Sequence, residues 1–138
     1  AMIARGYLKL DPFEVWGNGE QIRNWTYVDD IVSGTIAAAE KIHDGTSVNL
    51  GTMERIRVKD CAKQVIDTLN PSATIKLLTD KPTGPLNRVA SNALAKQMLD
   101  WEPKTSFQVG LQKTIQWYIE SKTTEQASVD LSRKLVGR

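Results

Sequence analysis

Arg23, Trp25 and Tyr27 occupy alternate positions in the run Ile22-Arg-Asn-Trp-Thr-Tyr-Val28. In an extended strand, alternate side chains share one face. The run is therefore expected to set one guanidinium beside two aromatic rings. A guanidinium offers a planar fork of N–H donors that suits phosphate oxygens, and the rings offer a surface to something flat. Residue type alone fits a solvated strand arginine equally well. Asp29 and Asp30 follow at the start of a helical pattern, where a carboxylate can cap free backbone N–H groups.

These residues need elements to hold them. Phe13 to Trp16 is a short apolar run, and Gly17-Asn18-Gly19 tolerates the positive φ of a tight turn. The expected order is strand, hairpin turn, a second strand over residues 21–28, then a helix cap. Residues 1–10 suit a short amphipathic helix stopped by Pro12. A helix is expected over 29–42, with Ile31, Val32, Ile36, Ala39 and Ile42 inward and Gly45 as the C′ residue. Residues 46–50 and 55–58 read as short extended pieces. Val58, Cys61, Ala62, Val65, Ile66 and Leu69 recur at helical spacing. Residues 74–78 read as a strand and 80–88 as a loop punctuated by Pro82, Gly84 and Pro85. Ser91 is the expected N-cap of a short helix with Leu94, Ala95, Met98 and Leu99 inward. Thr105 and Gln108 form a capping-box pattern before a long helix over 106–122, with Phe107, Leu111, Ile115, Tyr118 and Ile119 on one stripe. Strands alternating with helices make the class α/β.

Composition narrows the function. The 138 residues are one domain's worth, with 41% hydrophobic and 25% charged residues, ordinary for a globular protein. Net charge of +2 gives no case for nucleic acid or a membrane surface as partner. No apolar run approaches the roughly 20 residues of a membrane span. Cys61 is the single cysteine, which excludes an internal disulfide and suits a reducing, cytoplasmic setting. Its place on an apolar helix face suits core packing better than nucleophilic work. His43 is the single histidine, expected at a helix C-terminus, and it has no clustered ligands for a metal.

Trp-Gly-Asn-Gly-Glu-Gln-Ile-Arg-Asn-Trp-Thr-Tyr-Val-Asp-Asp, residues 16–30, resembles a segment of the extended short-chain dehydrogenase/reductases, the family of NAD-dependent nucleotide-sugar epimerases and dehydratases. Val48-Asn-Leu-Gly51, Leu99-Asp-Trp-Glu-Pro103, Gly110-Leu111 and Thr114-Ile-Gln-Trp-Tyr118 resemble further family segments in the same order. The likeness to GDP-mannose 3,5-epimerases rests on Phe13-Glu-Val-Trp-Gly-Asn-Gly19 and on Arg88-Val-Ala-Ser-Asn-Ala-Leu-Ala-Lys96. The resemblance implies that Arg23 contacts the diphosphate of a sugar nucleotide. It further implies that Trp25, Arg88 and Asn92 help frame that ligand, a GDP-sugar or a UDP-sugar. Three departures stand out: Asp100 replaces a glycine, Ser91 replaces an aspartate, and Ala90 replaces a serine.

Two family features are missing from the sequence. None of the nine glycines forms G-x-x-G-x-x-G, the turn that lets backbone approach a dinucleotide pyrophosphate. Tyr118-Ile-Glu-Ser-Lys122 matches the catalytic Tyr-x-x-x-Lys by letter, but its place in the terminal helix argues against that role. The resemblance therefore implies the C-terminal, substrate-binding portion of such a fold. Residues 1–122 would form the domain and 123–138 a polar tail, with the NAD-binding half absent. No catalytic, cofactor-binding or metal residue is assigned; NAD belongs to the full-length family. Such a portion would be inactive alone. The sequence opens Ala1-Met2, so a native start at Met2 would make a short reading frame, and any other start a piece of a longer one. The alternative is a free-standing interaction module that forms a homodimer or pairs with a separate NAD-binding protein. A self-contained enzyme of another class would need a nucleophile–base pair or metal site that the sequence does not offer.

Overall fold

The computed structural model of the chain describes residues 1–136. In order its elements are α1 Met2–Tyr7, β1 Phe13–Trp16, β2 Ile22–Arg23, α2 Val28–Lys41, β3 Ile56–Arg57 and α3 Val58–Leu69. There follow β4 Ile75–Leu78, β5 Asn87–Arg88, α4 Ala93–Leu99, α5 Phe107–Ser121 and α6 Thr124–Val136. The class is α/β, as expected. The chain divides into two compact units, one of residues 1–21, 57–86 and 114 onward, the other of residues 22–56 and 87–113.

In the first unit, Phe13 and Val15 point into the core and are almost fully buried, while Glu14 and Trp16 between them are half-buried. This alternation is the two-residue period of a strand. β1 pairs in parallel with β4, Phe13 against Ile75 through Trp16 against Leu78. α3 has the bounds and the face its periodicity predicts, with Cys61, Ala62, Val65, Ile66 and Leu69 buried. Gly6 lets α1 lie close to it: a Cβ there would come within 2.9 Å of Val65 Cγ1. The tail forms α6, with Ala127 and Leu131 buried. Residues 137 and 138 of the expected tail lie outside the described residues.

The expected hairpin is absent. Gly17 and Gly19 do take positive φ, at 77° and 73°, but the chain leaving the turn does not pair back on β1. Instead Gly19 and Gln21 carbonyls accept from Lys59 and Val58 N–H at the start of α3, both at 2.9 Å. β1 thereby keeps its edge for β4, and a parallel pair replaces the antiparallel one.

The second unit holds β2 and β5, which run parallel, and Ile56 of β3. Its core is Ala95, Leu99 and Trp101, covered by Ala37, Ala38, Ile42, Val48, Leu50 and Met98. The inward face of α2 is only partly the predicted one: Ile42, just past its end, packs on this core and Ile31 is half-buried. Val32 and Ile36 are exposed, Ala39 likewise, and the buried positions are Asp30 and Gly34. A Cβ on Gly34 would sit 2.8 Å from both Leu50 Cδ2 and Trp101 Cε2. Small residues face inward because the indole of Trp101 occupies the space that larger ones would fill; its Nε1 donates to Ser33 Oγ at 2.9 Å. Leu94 is likewise exposed rather than inward.

Several end signals also shift. α2 stops at Lys41, so Gly45 (φ 78°) turns the loop beyond the helix and is not its C′ residue. Residues 46–50 form no strand, and Asn87–Arg88 form one inside the expected loop. Asn92, not Ser91, is the α4 N-cap position, although Ser91 Oγ still accepts from Ala93 N–H at 3.3 Å. The Thr105–Gln108 box does not open α5. There Glu54 accepts from Phe107 N–H at 3.2 and 3.1 Å, and Ser106 Oγ from Val109 N–H at 3.4 Å.

Candidate functional site

Arg23, Trp25, Arg88 and Asn92 all belong to the second unit. Arg23 ends β2 and Arg88 ends β5, and the two are register partners. Neighbouring strands lie about 4.8 Å apart, and in-register parallel partners project to the same side of the sheet. Arg23 and Arg88 thus start from the same side of the sheet. Arg23 is half-buried and its Nη1 donates to the Ile22 carbonyl at 2.7 Å; Arg88 is exposed.

Trp25 and Tyr27 are not strand residues, because β2 ends at Arg23. Side chains replace the ladder beyond that point. Asn24 Nδ2 donates to the Thr52 carbonyl at 2.8 Å, and Thr52 N–H donates to Thr26 Oγ1 at 2.9 Å. Asn92 Nδ2 donates to the Gly51 carbonyl at 3.0 Å. Asn92 is therefore stitched to the loop that also holds Asn24. A Cβ on Gly51 would come 3.3 Å from Asn24 Nδ2, so glycine lets the two segments close up. Asn24 and Thr52 hold these segments together and were not singled out from the sequence; Asn24, between Arg23 and Trp25, offered a signal as a side chain able to bond backbone.

The aromatic residues pack on α5. Trp25 lies against Phe107, centroids 5.5 Å apart and planes tilted 36°. Tyr27 lies under Lys113, whose Nζ is 5.0 Å from the ring centroid, and against Gly110. Asp30 is buried, but it does not cap its own helix. Its carboxylate accepts from Lys104 and Thr105 N–H at 3.1 and 3.0 Å and so fixes the approach to α5.

Other reactive groups fit structural roles. Burial pushes the Cys61 thiol up to about 11, which keeps it protonated and unreactive near neutral pH. Tyr118 is pushed up, first by burial and then by the charge of Asp130. That direction is opposite to the one an acid–base tyrosine needs at neutral pH. Among the described residues no cluster of His, Cys, Asp and Glu could hold a metal, and no helix is long and apolar enough to cross a membrane.

Comparison with known proteins shows the family to which the chain belongs. The family model described as GDP-mannose 4,6 dehydratase matches residues 1–114. UDP-glucuronic acid decarboxylase 1 of Arabidopsis thaliana is 34% identical over 108 residues, 78% of this chain and 25% of that protein. The dTDP-glucose 4,6-dehydratase of Escherichia coli is 31% identical over 128 residues, 84% of this chain and 35% of that protein. The crystal structure of UDP-glucuronic acid 4-epimerase from Bacillus cereus, in complex with UDP-glucuronic acid and NAD, superposes with a TM-score of 0.77 at 27% identity. That match covers 88% of this chain and 39% of the epimerase. The chain thus spans between about a quarter and two-fifths of the length of these relatives.

Proposed function

Because the chain belongs to the family of NAD-dependent nucleotide-sugar epimerases and dehydratases, we propose that it is the substrate-binding portion of such an enzyme. Arg23 and Arg88 hold the diphosphate of a nucleotide sugar by charge-assisted hydrogen bonds. Trp25 and Asn92 border the same ligand. The observation that carries this reading is the in-register pair of arginines at the ends of β2 and β5. Two positive side chains on neighbouring strands favour an anion between them, and a diphosphate has the charge to serve. The relatives named above act on UDP- and dTDP-sugars, which supports the ligand class. The likeness of residues 13–19 and 88–96 to GDP-mannose 3,5-epimerases makes a GDP-sugar the competing choice of base.

On this reading the chain binds substrate without transforming it. NAD and the hydride chemistry belong to the parts that the relatives carry beyond the matched span. Residues 1–122 supply the binding portion, residues 123–138 are appended to it, and the setting is cytoplasmic.

Titration of the chain with GDP-mannose, UDP-glucose and NAD, followed by tryptophan fluorescence and calorimetry, tests the reading. Saturable binding of a nucleotide sugar without binding of NAD supports it and identifies the base. Equal indifference to all three would remove it and leave the second reading, an interaction module. That reading draws on the exposed apolar row of Val28, Val32 and Ile36 on α2.

A further inference from the structure

Asn18 is followed by Gly19, and every other asparagine of the chain precedes a residue that carries a Cβ. A glycine nitrogen is the least hindered of backbone nucleophiles, because no Cβ stands beside it. An asparagine carboxamide next to it is therefore open to attack from its own backbone.

The turn arranges the reacting groups. Asn18 is exposed, and its Oδ1 accepts from Glu20 N–H at 3.0 Å. That bond, by which an asparagine closes a turn on its own chain, folds the carboxamide back over the peptide unit joining Asn18 to Gly19. Among the described residues Gly19 N–H donates no hydrogen bond, so its nitrogen has no bond to give up. Glu20 N–H sits on the oxygen that gains negative charge when Cγ is attacked, where a donor stabilises a developing oxyanion.

We propose that Asn18 is a site of spontaneous deamidation and isomerisation in the folded chain, and that its isomerisation unfastens the start of α3. The Gly19 nitrogen loses its proton to solvent base and attacks Asn18 Cγ. A C–N bond forms, the Cγ–Nδ2 bond breaks, and the amide leaves as ammonia with a proton from water. Water then opens the cyclic imide at one of its two carbonyls, giving aspartate or isoaspartate. The net change is one water consumed and one ammonia released, with no oxidation or reduction.

The isoaspartate product lengthens the backbone by one carbon, and the turn has no slack to take it up. The Gly19 carbonyl accepts from Lys59 N–H at 2.9 Å in the first turn of α3. A Cβ on Gly19 would come within 2.7 Å of Lys59 Cβ. The Glu20 carboxylate pairs with Lys59 Nζ and, at 3.7 Å, with Arg57 Nη1. A longer backbone carries Gly19 away from Lys59 and breaks the first of these contacts. The inference rests on this turn alone, so it stands or falls apart from Arg23 and Arg88.

The test ages the full chain in mildly alkaline buffer, folded and in urea, and follows each asparagine by peptide mapping and mass spectrometry. Asn18 should convert about tenfold faster than any other asparagine, and no more slowly in the folded chain than in urea. Asn18→Gln, whose longer side chain does not form the five-membered imide, should remain intact with a nearly unchanged melting temperature. Hydrogen exchange reads the consequence: the Lys59 amide should lose protection in the isoaspartate form and keep it in aged Asn18→Gln. Freshly prepared Asn18→Asp carries the new charge without the longer backbone and should keep that protection too. Conversion slower in the folded chain than in urea overturns the proposal, as does an isoaspartate form whose Lys59 amide stays protected. Protection already lost in fresh Asn18→Asp overturns it as well, because charge and not chain length would then be the cause.

Discussion

Arg23 and Arg88 are register partners in a parallel strand pair, one ending β2 and the other β5. Like charges placed directly opposite across strands destabilise by about 0.2–1 kcal/mol. On the proposed reading, the pair weakens the ligand-free chain slightly and is relieved by an anion. Arg88→Gln should raise the melting temperature of the free chain slightly at low salt, and the gain should fade as salt screens the pair. The same variant should reduce the stabilisation that inorganic diphosphate gives the wild type. Thermal melts across salt and diphosphate concentration read both effects. A variant that melted lower than wild type at every salt would contradict this account of the pair.

Asp100 occupies the left-handed region, φ 54° and ψ 37°, at the C-cap of α4. A residue with a Cβ is disfavoured there by about 1–2 kcal/mol, which gives the family's glycine at this position its physical reason. Asp100→Gly should therefore stabilise the chain by about 1 kcal/mol, read as a higher denaturation midpoint with unchanged slope.

Gly34 is constrained by space rather than by φ. A Cβ there meets Leu50 Cδ2 and Trp101 Cε2, each at 2.8 Å. Gly34→Ala should cost about 1–3 kcal/mol through overpacking, outweighing the better helix propensity of alanine. Urea denaturation followed by tryptophan emission measures it.

Asp11 accepts from Thr74 N–H and Oγ1, both at 2.9 Å, and the backbone bond first, then the hydroxyl, hold its carboxyl below the usual value. A carboxyl with a depressed folded-state pKa contributes stability that is present above its unfolded value. That contribution is lost as pH falls through the folded value, so the loss belongs below about pH 4. Asp11→Asn should flatten the acid limb of a melting-temperature profile and change little of its slope near neutrality.

Local periodicity carried the parts of the fold that local burial decides. α3 is legible because Val65, Ile66 and Leu69 meet one continuous core at helical spacing. α2 misleads because its core face is made of Gly34, Ala37 and Ala38, which make room for the bulk of Trp101, while Val32 and Ile36 lie outside. The turn at Gly17 and Gly19 is visible in the sequence, but its partner is not: the bonds from Lys59 and Val58 that replace the hairpin come from a distant segment. Arg23 stood out through its alternation with two aromatic residues. The neighbour that gives it meaning, Arg88, sits in a stretch whose prolines and glycine read as loop, and a two-residue parallel strand leaves no periodic signal. Trp25 and Tyr27 were read as strand residues, and their true support is α5.

The most direct measurement is a calorimetric titration of a nucleotide sugar into the wild-type chain, Arg23→Ala, Arg88→Ala and the double variant. Each charge-assisted contact to the diphosphate is worth about 1.5–3 kcal/mol, so each single variant should bind about 10- to 100-fold more weakly. Because both guanidiniums would act on one diphosphate, the double variant should lose less than the sum of the two. Undiminished affinity in both single variants would contradict the account and place the ligand elsewhere.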